Sequence, residues 1–165
     1  MDNLVMIAAV GKNGELGKNN NLIWRFHGDM KFFKEQTIHK DIVMGRKTLE
    51  SLPGLLPYRK HIVLTHQDLV IPGVVTFRSK DDILRYTSSQ DHDVMVIGGG
   101  SIYKLFIDDA GKMLLTEIDD ICAEADVYFP SFEKNEWYRK VLGENCENNI
   151  SYQHVEYVRK RSLKL

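Results

Sequence analysis

The run Asp93-Val94-Met95-Val96-Ile97 is the most strand-like stretch in the chain, and three consecutive glycines, Gly98-Gly99-Gly100, end it before Ser101. Ile102, Tyr103, Phe106 and Ile107 then follow at helical spacing. An uninterrupted apolar strand needs cover on both faces, and strands that pass through glycine into helices build such a sheet from parallel crossovers. The same order occurs earlier, where Asp41-Ile42-Val43-Met44 leads into Gly45-Arg46-Lys47-Thr48 and a short helix to about Leu52. At both turns glycine lets backbone N–H groups approach an anion at the start of the helix. Punctuation and close packing explain a glycine there too, but three in a row favour the approach of a ligand. Neither turn carries the spaced glycines of the dinucleotide fingerprint, so a standard Rossmann domain is not expected.

The remaining segments fit around these two units. Residues 4–10 are a short apolar run ending in Gly11, the pattern of a buried strand, and residues 11–21 are rich in Gly, Asn and Lys, the pattern of a mobile surface loop. A helix is predicted over 27–39, strands over 41–44, 61–65, 74–77 and 112–118, and a helix over 80–88 whose first turn holds Asp81 and Asp82. Residues 137–141 and 151–158 read as an antiparallel hairpin with a long connection. Strands alternating with helices imply one α/β domain, residues 1–165, with a largely parallel sheet and antiparallel strands late in the chain.

Composition narrows the classes of function. At 165 residues the chain can bury a proper core, and its formal net charge of -1 gives no reason to expect nucleic acid or an anionic membrane as partner. The first residues, MDNLVMIAAVGKNG, place an acid where a secretion signal needs basic residues, and no segment is as long and apolar as a membrane span. Cys122 and Cys146 have no metal or redox spacing, which suits free thiols in a reducing, cytoplasmic setting. The six histidines are scattered without ligand spacing, so no metal is expected, and no nucleophile elbow is present.

One segment carries a sharper signal. In Asn20 to Thr37, NNLIWRFHGDMKFFKEQT, the residues Asp29, Phe32, Phe33 and Gln36 share one helical face. A carboxylate among phenylalanines is unusual, because burying a charge without a partner is costly. An acid in the first turn of a helix is also what the helix dipole favours, so position alone leaves both readings open.

Taken together these residues resemble the dihydrofolate reductase family over essentially the whole chain. The resemblance rests on Ile7-Ala8-Ala9, Leu16-Gly17-Lys18, Trp24, Asp29 with Phe33, Met44-Gly45-Arg46-Lys47-Thr48-Leu49-Glu50-Ser51, Leu56-Pro57 with Arg59, Val96-Ile97-Gly98-Gly99-Gly100, Thr116, and Tyr128-Phe129-Pro130. It implies a mostly parallel eight-stranded sheet flanked by four helices, NADPH as hydride donor, dihydrofolate as substrate, a monomer, and a cis peptide at Gly98-Gly99. It also implies roles. Asp29 accepts the paired donors of the pterin, with Trp24 and Thr116 holding the water and hydroxyl network around it. Ile7, Ala8, Phe33, Leu52 and Leu56 line the substrate pocket, and Arg59 clamps the glutamyl carboxylate. Gly45, Arg46, Lys47 and Thr48 bracket the cofactor pyrophosphate from one side, and Gly98, Gly99, Gly100, Ser101, Ile102 and Tyr103 from the other. Arg46, Thr65 and His66, next to Leu64, meet the 2′-phosphate, with Arg78 as a further candidate. Ala9, Leu16 and Ile97 border the nicotinamide, Gly17 is a further cofactor contact, and residues 11–26 form a lid whose Leu22 lies near the nicotinamide.

The chain departs from the family pattern in places. Ile23 stands before Trp24 where proline is common, and Phe26-His27 replaces a usual leucine–proline pair, which loosens the lid and the entrance to the helix. The stretch Leu52-Pro53-Gly54-Leu55-Leu56-Pro57-Tyr58-Arg59 lacks the family's usual turns. These changes imply weaker binding of antifolate inhibitors such as trimethoprim. A same-fold reductase of another heterocycle, such as a riboflavin precursor, is the alternative, and Asp29 with its aromatic neighbours argues against it.

Overall fold

The computed structural model describes residues 1–161. In chain order the elements are β1 (Leu4–Val10), β2 (Glu15–Lys18), β3 (Asn21–Leu22), α1 (His27–Thr37), β4 (Asp41–Gly45), α2 (Arg46–Ser51), β5 (Lys60–Leu64) and β6 (Val74–Phe77). They continue with α3 (Lys80–Ser88), β7 (Val94–Gly98), α4 (Gly100–Phe106), β8 (Lys112–Ile118), β9 (Val127–Tyr128), β10 (Trp137–Glu147) and β11 (Ile150–Arg159). The eight-stranded sheet has the order β10-β11-β8-β1-β7-β4-β5-β6. All pairings from β8 to β6 are parallel, and only the two pairings of β11, with β8 and with β10, are antiparallel. The mostly parallel α/β sheet with late antiparallel strands is the expected architecture.

Alternation along β1 divides the core. Leu4, Met6 and Ala8 point to one side, where Ile83 of α3 and Ile102, Tyr103 and Phe106 of α4 cover the sheet. Val5 and Ile7 point to the other, where they join Ile42, Met44, Val63, Met95 and Leu114 under Phe32 and Phe33 of α1 and Leu49 of α2. Burial on both faces is why these strands are apolar at nearly every position.

Two expectations need correction. Residues 11–21 are not simply a loop, because β2 and β3 form a hairpin there, closed by Asn19 and Asn20 with φ of 51° and 63°. The connection between β10 and β11 is not long either. It is the two-residue turn Asn148-Asn149, with φ of 52° and 63°, and both strands extend to meet it. Asparagine tolerates this left-handed conformation, which tight hairpins require.

The start of α1 shows a further departure. Its N-cap, Phe26, has no side-chain acceptor for the first helical N–H groups. Glu147, at the end of β10, supplies one from a distance: Oε1 accepts the N–H of His27 at 2.9 Å and Oε2 that of Gly28 at 3.0 Å. The Tyr152 hydroxyl also donates to Glu147, and the Tyr152 ring stacks on Phe26 at 4.9 Å with planes 2° apart. Gly28 is needed for this approach, since a Cβ there would lie 2.3 Å from the Tyr152 hydroxyl. Proline at position 27 would have no N–H to donate, so the histidine there permits the remote cap. Glu147→Ala is expected to lower the urea midpoint, whereas Glu144→Ala on the same strand leaves it almost unchanged. Equal midpoints for the two variants would remove Glu147 as the cap.

Candidate functional site

The carboxyl ends of β1, β4, β7 and β8 meet where the strand order departs from chain order, the place at which open α/β sheets hold ligands. Asp29, in the first turn of α1, projects over this edge. The Thr116 hydroxyl of β8 donates to Asp29 Oδ1, and His154 Nε2 of β11 lies 3.9 Å from the same oxygen. Thr116 is opposite Ala9 on one neighbouring strand and opposite His154 on the other, so the three stand in one row beneath α1. Burial pushes the Asp29 carboxyl above its ordinary range and Glu147 adds to this, while the Thr116 bond and His154 pull it back.

An apolar slot opens beside this acid. Ile7 is buried, and Phe33, Leu52, Leu56 and Ile97 pack half-buried against the same cluster. Ala8 belongs to the opposite face of β1, with the cluster under α3 and α4, so its side chain does not line this slot. Strand alternation turns Ala8 away from its neighbours Ile7 and Ala9.

At the rim, Arg59 donates from Nε to the Pro57 carbonyl at 3.0 Å and from Nη1 to the Thr37 hydroxyl at 3.2 Å, which ties it to the end of α1. The buried His61 holds this turn from below. Its Nε2 accepts the Leu56 N–H at 3.0 Å, so Nδ1 carries the proton and donates to the Arg59 carbonyl at 3.1 Å. Burial lowers the His61 pKa and favours this neutral form.

The two strand–glycine–helix turns lie side by side. A Cβ added at Gly98 or Gly99 would stand 3.4 or 3.5 Å from Thr48 Oγ1, and the Gly98-Gly99 peptide is cis. Gly45 packs under Ile102, Gly100 lies against Val127, and Lys47 and Ser101 are exposed beside them. Arg46 pairs with Glu50 at 2.6 Å. Beyond Leu64, Thr65 is buried and accepts the Gln67 N–H at 3.1 Å, while His66 is exposed and its carbonyl accepts from Arg78 at 3.3 Å. The buried Tyr103 hydroxyl donates to the Ile7 carbonyl at 2.6 Å, which links the cofactor-side helix to the slot.

Residues 11–26 fold over the ends of β1 and β8. Leu16 packs partly buried, Gly17 pairs with both Leu22 and Val127, and Leu22 is 62% exposed. Trp24 differs from the expectation: its indole N–H donates to Asp120 at 3.0 Å, so this single donor is committed away from Asp29. The ring remains as a wall against Ile118 and beside Ala9.

Sequence reasoning missed Glu15, His61, Glu147 and His154. Glu15 is 1% exposed, and its two oxygens accept the N–H groups of Asn13 and Cys122, each at 2.7 Å. It therefore bridges the lid to the segment after β8, which Lys12 also reaches through Asp119 at 2.8 Å. A broad groove of about 1110 Å³ lies elsewhere, between the base of the lid and the β10–β11 hairpin; Tyr128, Phe129 and Pro130 line it, but none of the predicted substrate or cofactor residues does.

Comparison with known proteins accords with this geometry. The family profile described as dihydrofolate reductase matches residues 3–159. A dihydrofolate reductase of Buchnera aphidicola from Schizaphis graminum is 39% identical over 138 residues, 83% of this chain and 84% of its own length. The dihydrofolate reductase type 15 of Escherichia coli is 35% identical over 153 residues, 92% of this chain and 95% of its own. Among solved structures, a dihydrofolate reductase from Enterococcus faecalis, complexed with NADP(H) and RAB-propyl, superposes with a TM-score of 0.86 at 32% identity and covers 96% of both chains.

The lid tether gives a pH dependence. Burial pushes the Glu15 carboxyl up, but the N–H groups of Cys122, Glu15 itself and Asn13 outweigh it and leave the carboxyl below its ordinary value of 4.5. A depressed folded value means that this stabilisation is complete above the unfolded pKa and is lost as pH falls through the folded one. The stability gap between the wild type and Glu15→Gln, from urea unfolding at a series of pH values, is expected to be widest near neutrality and to close in acid. A gap independent of pH would rule this out.

Proposed function

The chain belongs to the dihydrofolate reductase family, an oxidoreductase that reduces 7,8-dihydrofolate to 5,6,7,8-tetrahydrofolate with NADPH, and we propose how its own residues carry out that reaction. The observation that carries the reading is the desolvated Asp29 carboxyl, held by Thr116 at the mouth of an apolar slot. The pterin presents an exocyclic amino group and a ring N–H side by side, and one ionised carboxylate accepts from both. Ile7, Phe33, Leu52 and Leu56 cover the flat rings, while Arg59 meets the glutamyl carboxylate at the rim.

NADPH supplies the hydride when bound. The residues fit it: two adjacent glycine turns, without side chains in the way, would present backbone N–H groups to a pyrophosphate, and Arg46, Thr65 and His66 would meet a 2′-phosphate. Ala9 and Ile97 border the nicotinamide. Leu22, on the exposed turn of the lid, closes over it when the lid is occupied. The pterin also needs a proton on nitrogen-5 as carbon-6 is reduced. Asp29 favours that protonation through its negative charge, and water is the direct donor. Trp24 acts as a wall that keeps the lid seated and limits the water that reaches the site.

The enzyme works as a one-domain monomer in the cytoplasm, and no helix among the described residues is long and apolar enough to cross a membrane. Antifolate inhibitors compete for the same slot, with binding weakened by the altered lid and rim.

Asp29→Asn is expected to cut dihydrofolate-dependent NADPH oxidation roughly 100- to 10,000-fold while NADPH binding persists. Because the folded acid has a raised pKa, its charge opposes folding at neutral pH, so the same variant is expected to unfold at an equal or higher urea concentration. Retained turnover in this variant would leave the reaction standing and remove Asp29 from its centre. Arg59→Lys is expected to raise KM for dihydrofolate about tenfold or more with kcat little changed, through loss of a bidentate contact. Its effect should vanish with a pterin substrate that has no glutamyl tail.

A further inference from the structure

His154 lies inside the site without a role in the mechanism above. Its side chain is 12% exposed, and its ring meets the Phe32 face edge-on, with centroids 3.9 Å apart and planes at 81°. Nδ1 is buried and has no hydrogen-bond partner among the described residues. Nε2 looks toward Asp29 Oδ1 at 3.9 Å, and β11 sets the ring directly opposite Thr116, which already binds that oxygen. A buried imidazole with one orphaned nitrogen is costly as a purely structural filler, because a phenyl ring would fill the same space without desolvating a polar atom.

The groups around it limit what it can do. From α1 it faces Asp29, and from β8 the uncharged Thr116. On β11 itself Tyr152 stands at 5.6 Å, its hydroxyl given to Glu147 of β10. Tyr103 of α4 is committed to the Ile7 carbonyl. Glu117, next to Thr116 on β8, is occupied by Arg139 and Tyr157. Among the described residues, Asp29 is therefore the one carboxylate in ion-pairing range of His154 that has no cation of its own.

We propose that His154 is a positioning residue of the reductase, and that it shares a single titrating proton with Asp29. The ionised pair and the neutral pair, an acid beside an imidazole, have the same net charge. Exchange between the two arrangements therefore adds no net charge to the apolar slot. In the ionised arrangement the imidazolium holds Asp29 as the carboxylate that the pterin donors require. Burial lowers the His154 pKa and Asp29 raises it, and His154 in turn lowers that of Asp29, so the two influences are reciprocal. The acid limb of the activity profile then belongs to the pair.

This inference rests on Asp29 as the pterin-binding acid, and the test separates the two. NMR titration of the ligand-free protein is expected to show the His154 ring shifting in two steps, one coincident with the Asp29 carboxyl. In Asp29→Asn the ring should titrate in a single step at lower pH. In pH profiles of turnover, His154→Phe and His154→Gln should both move the midpoint upward by about half a unit or more, because each removes the cation that keeps Asp29 ionised. A filler role would change KM or stability and leave the midpoint in place. An unmoved midpoint in His154→Gln, or a His154 ring indifferent to Asp29→Asn, overturns the proposal. Should His154→Phe fail to fold, the glutamine variant and the two titrations decide it. Turnover retained in Asp29→Asn alongside coupled titration would overturn the reading of Asp29 and leave the shared proton standing.

Discussion

The interaction on which the rest of the structure depends is the seating of one carboxylate against an apolar sheet face. Asp29 is held there by a single hydroxyl, that of Thr116, on a strand whose other inward residues are hydrophobic. A charge in such a place costs free energy unless it is paired, and here the pairing is incomplete. The site is left with an acid shifted toward its neutral form, able to take two donors from a ligand. Stability is lowered at this point in exchange for a defined binding chemistry, as is common at functional sites.

That seating needs α1 to enter the fold at one angle. Phe26 cannot cap the helix, so the entrance is determined by contacts far away in sequence: Glu147 on two backbone N–H groups, Tyr152 on Phe26, and a glycine that lets them close in. A stacked aromatic pair adds about 0.5–1.5 kcal/mol beyond the area it buries. The β10–β11 hairpin therefore contributes to the site although most of β10 is exposed. It orients α1 through Glu147 and delivers His154 through the next strand. The lid is anchored by a similar device, with Glu15 buried and bound to backbone N–H groups on both sides of the contact. Polar groups thus set the geometry at the edges of a core that is otherwise assembled from strand alternation.

Much of this was legible in the residues. The apolar runs of β1, β4 and β7, with glycine after each, specify buried parallel strands because both faces must be covered. Asp29 and Phe33 share a helical face by simple periodicity, Ile7, Leu52 and Leu56 pack in one cluster with Phe33, and Arg59 reaches Thr37 at the end of the same helix. Trp24 shows where that reasoning stops, because an indole N–H has one partner and only the folded chain reveals that it is Asp120. Ala8 shows the same limit: a motif names adjacent residues together, while strand alternation places them on opposite faces. Glu15, Glu147 and His61 left no signal in the sequence. An acid in a polar loop and an acid at a hairpin turn read as surface residues until partners more than 100 residues away are in place, and a histidine at the start of a strand reads the same way until the turn before it folds back onto its ring.

The sequence alone therefore determined the class of fold and the order of its main strands and helices, because these follow from local periodicity. The acid and the arginine stood out only through the resemblance of their motifs to the family, since position alone left Asp29 open. Tertiary structure alone decided which polar groups meet: the remote cap on α1, the tether of the lid, the tautomer of His61, and the histidine beside Asp29. Such pairings join residues separated by up to 125 positions. Hydrogen bonds act over about 3 Å, and no local pattern records which distant groups the packed sheet will bring within that range.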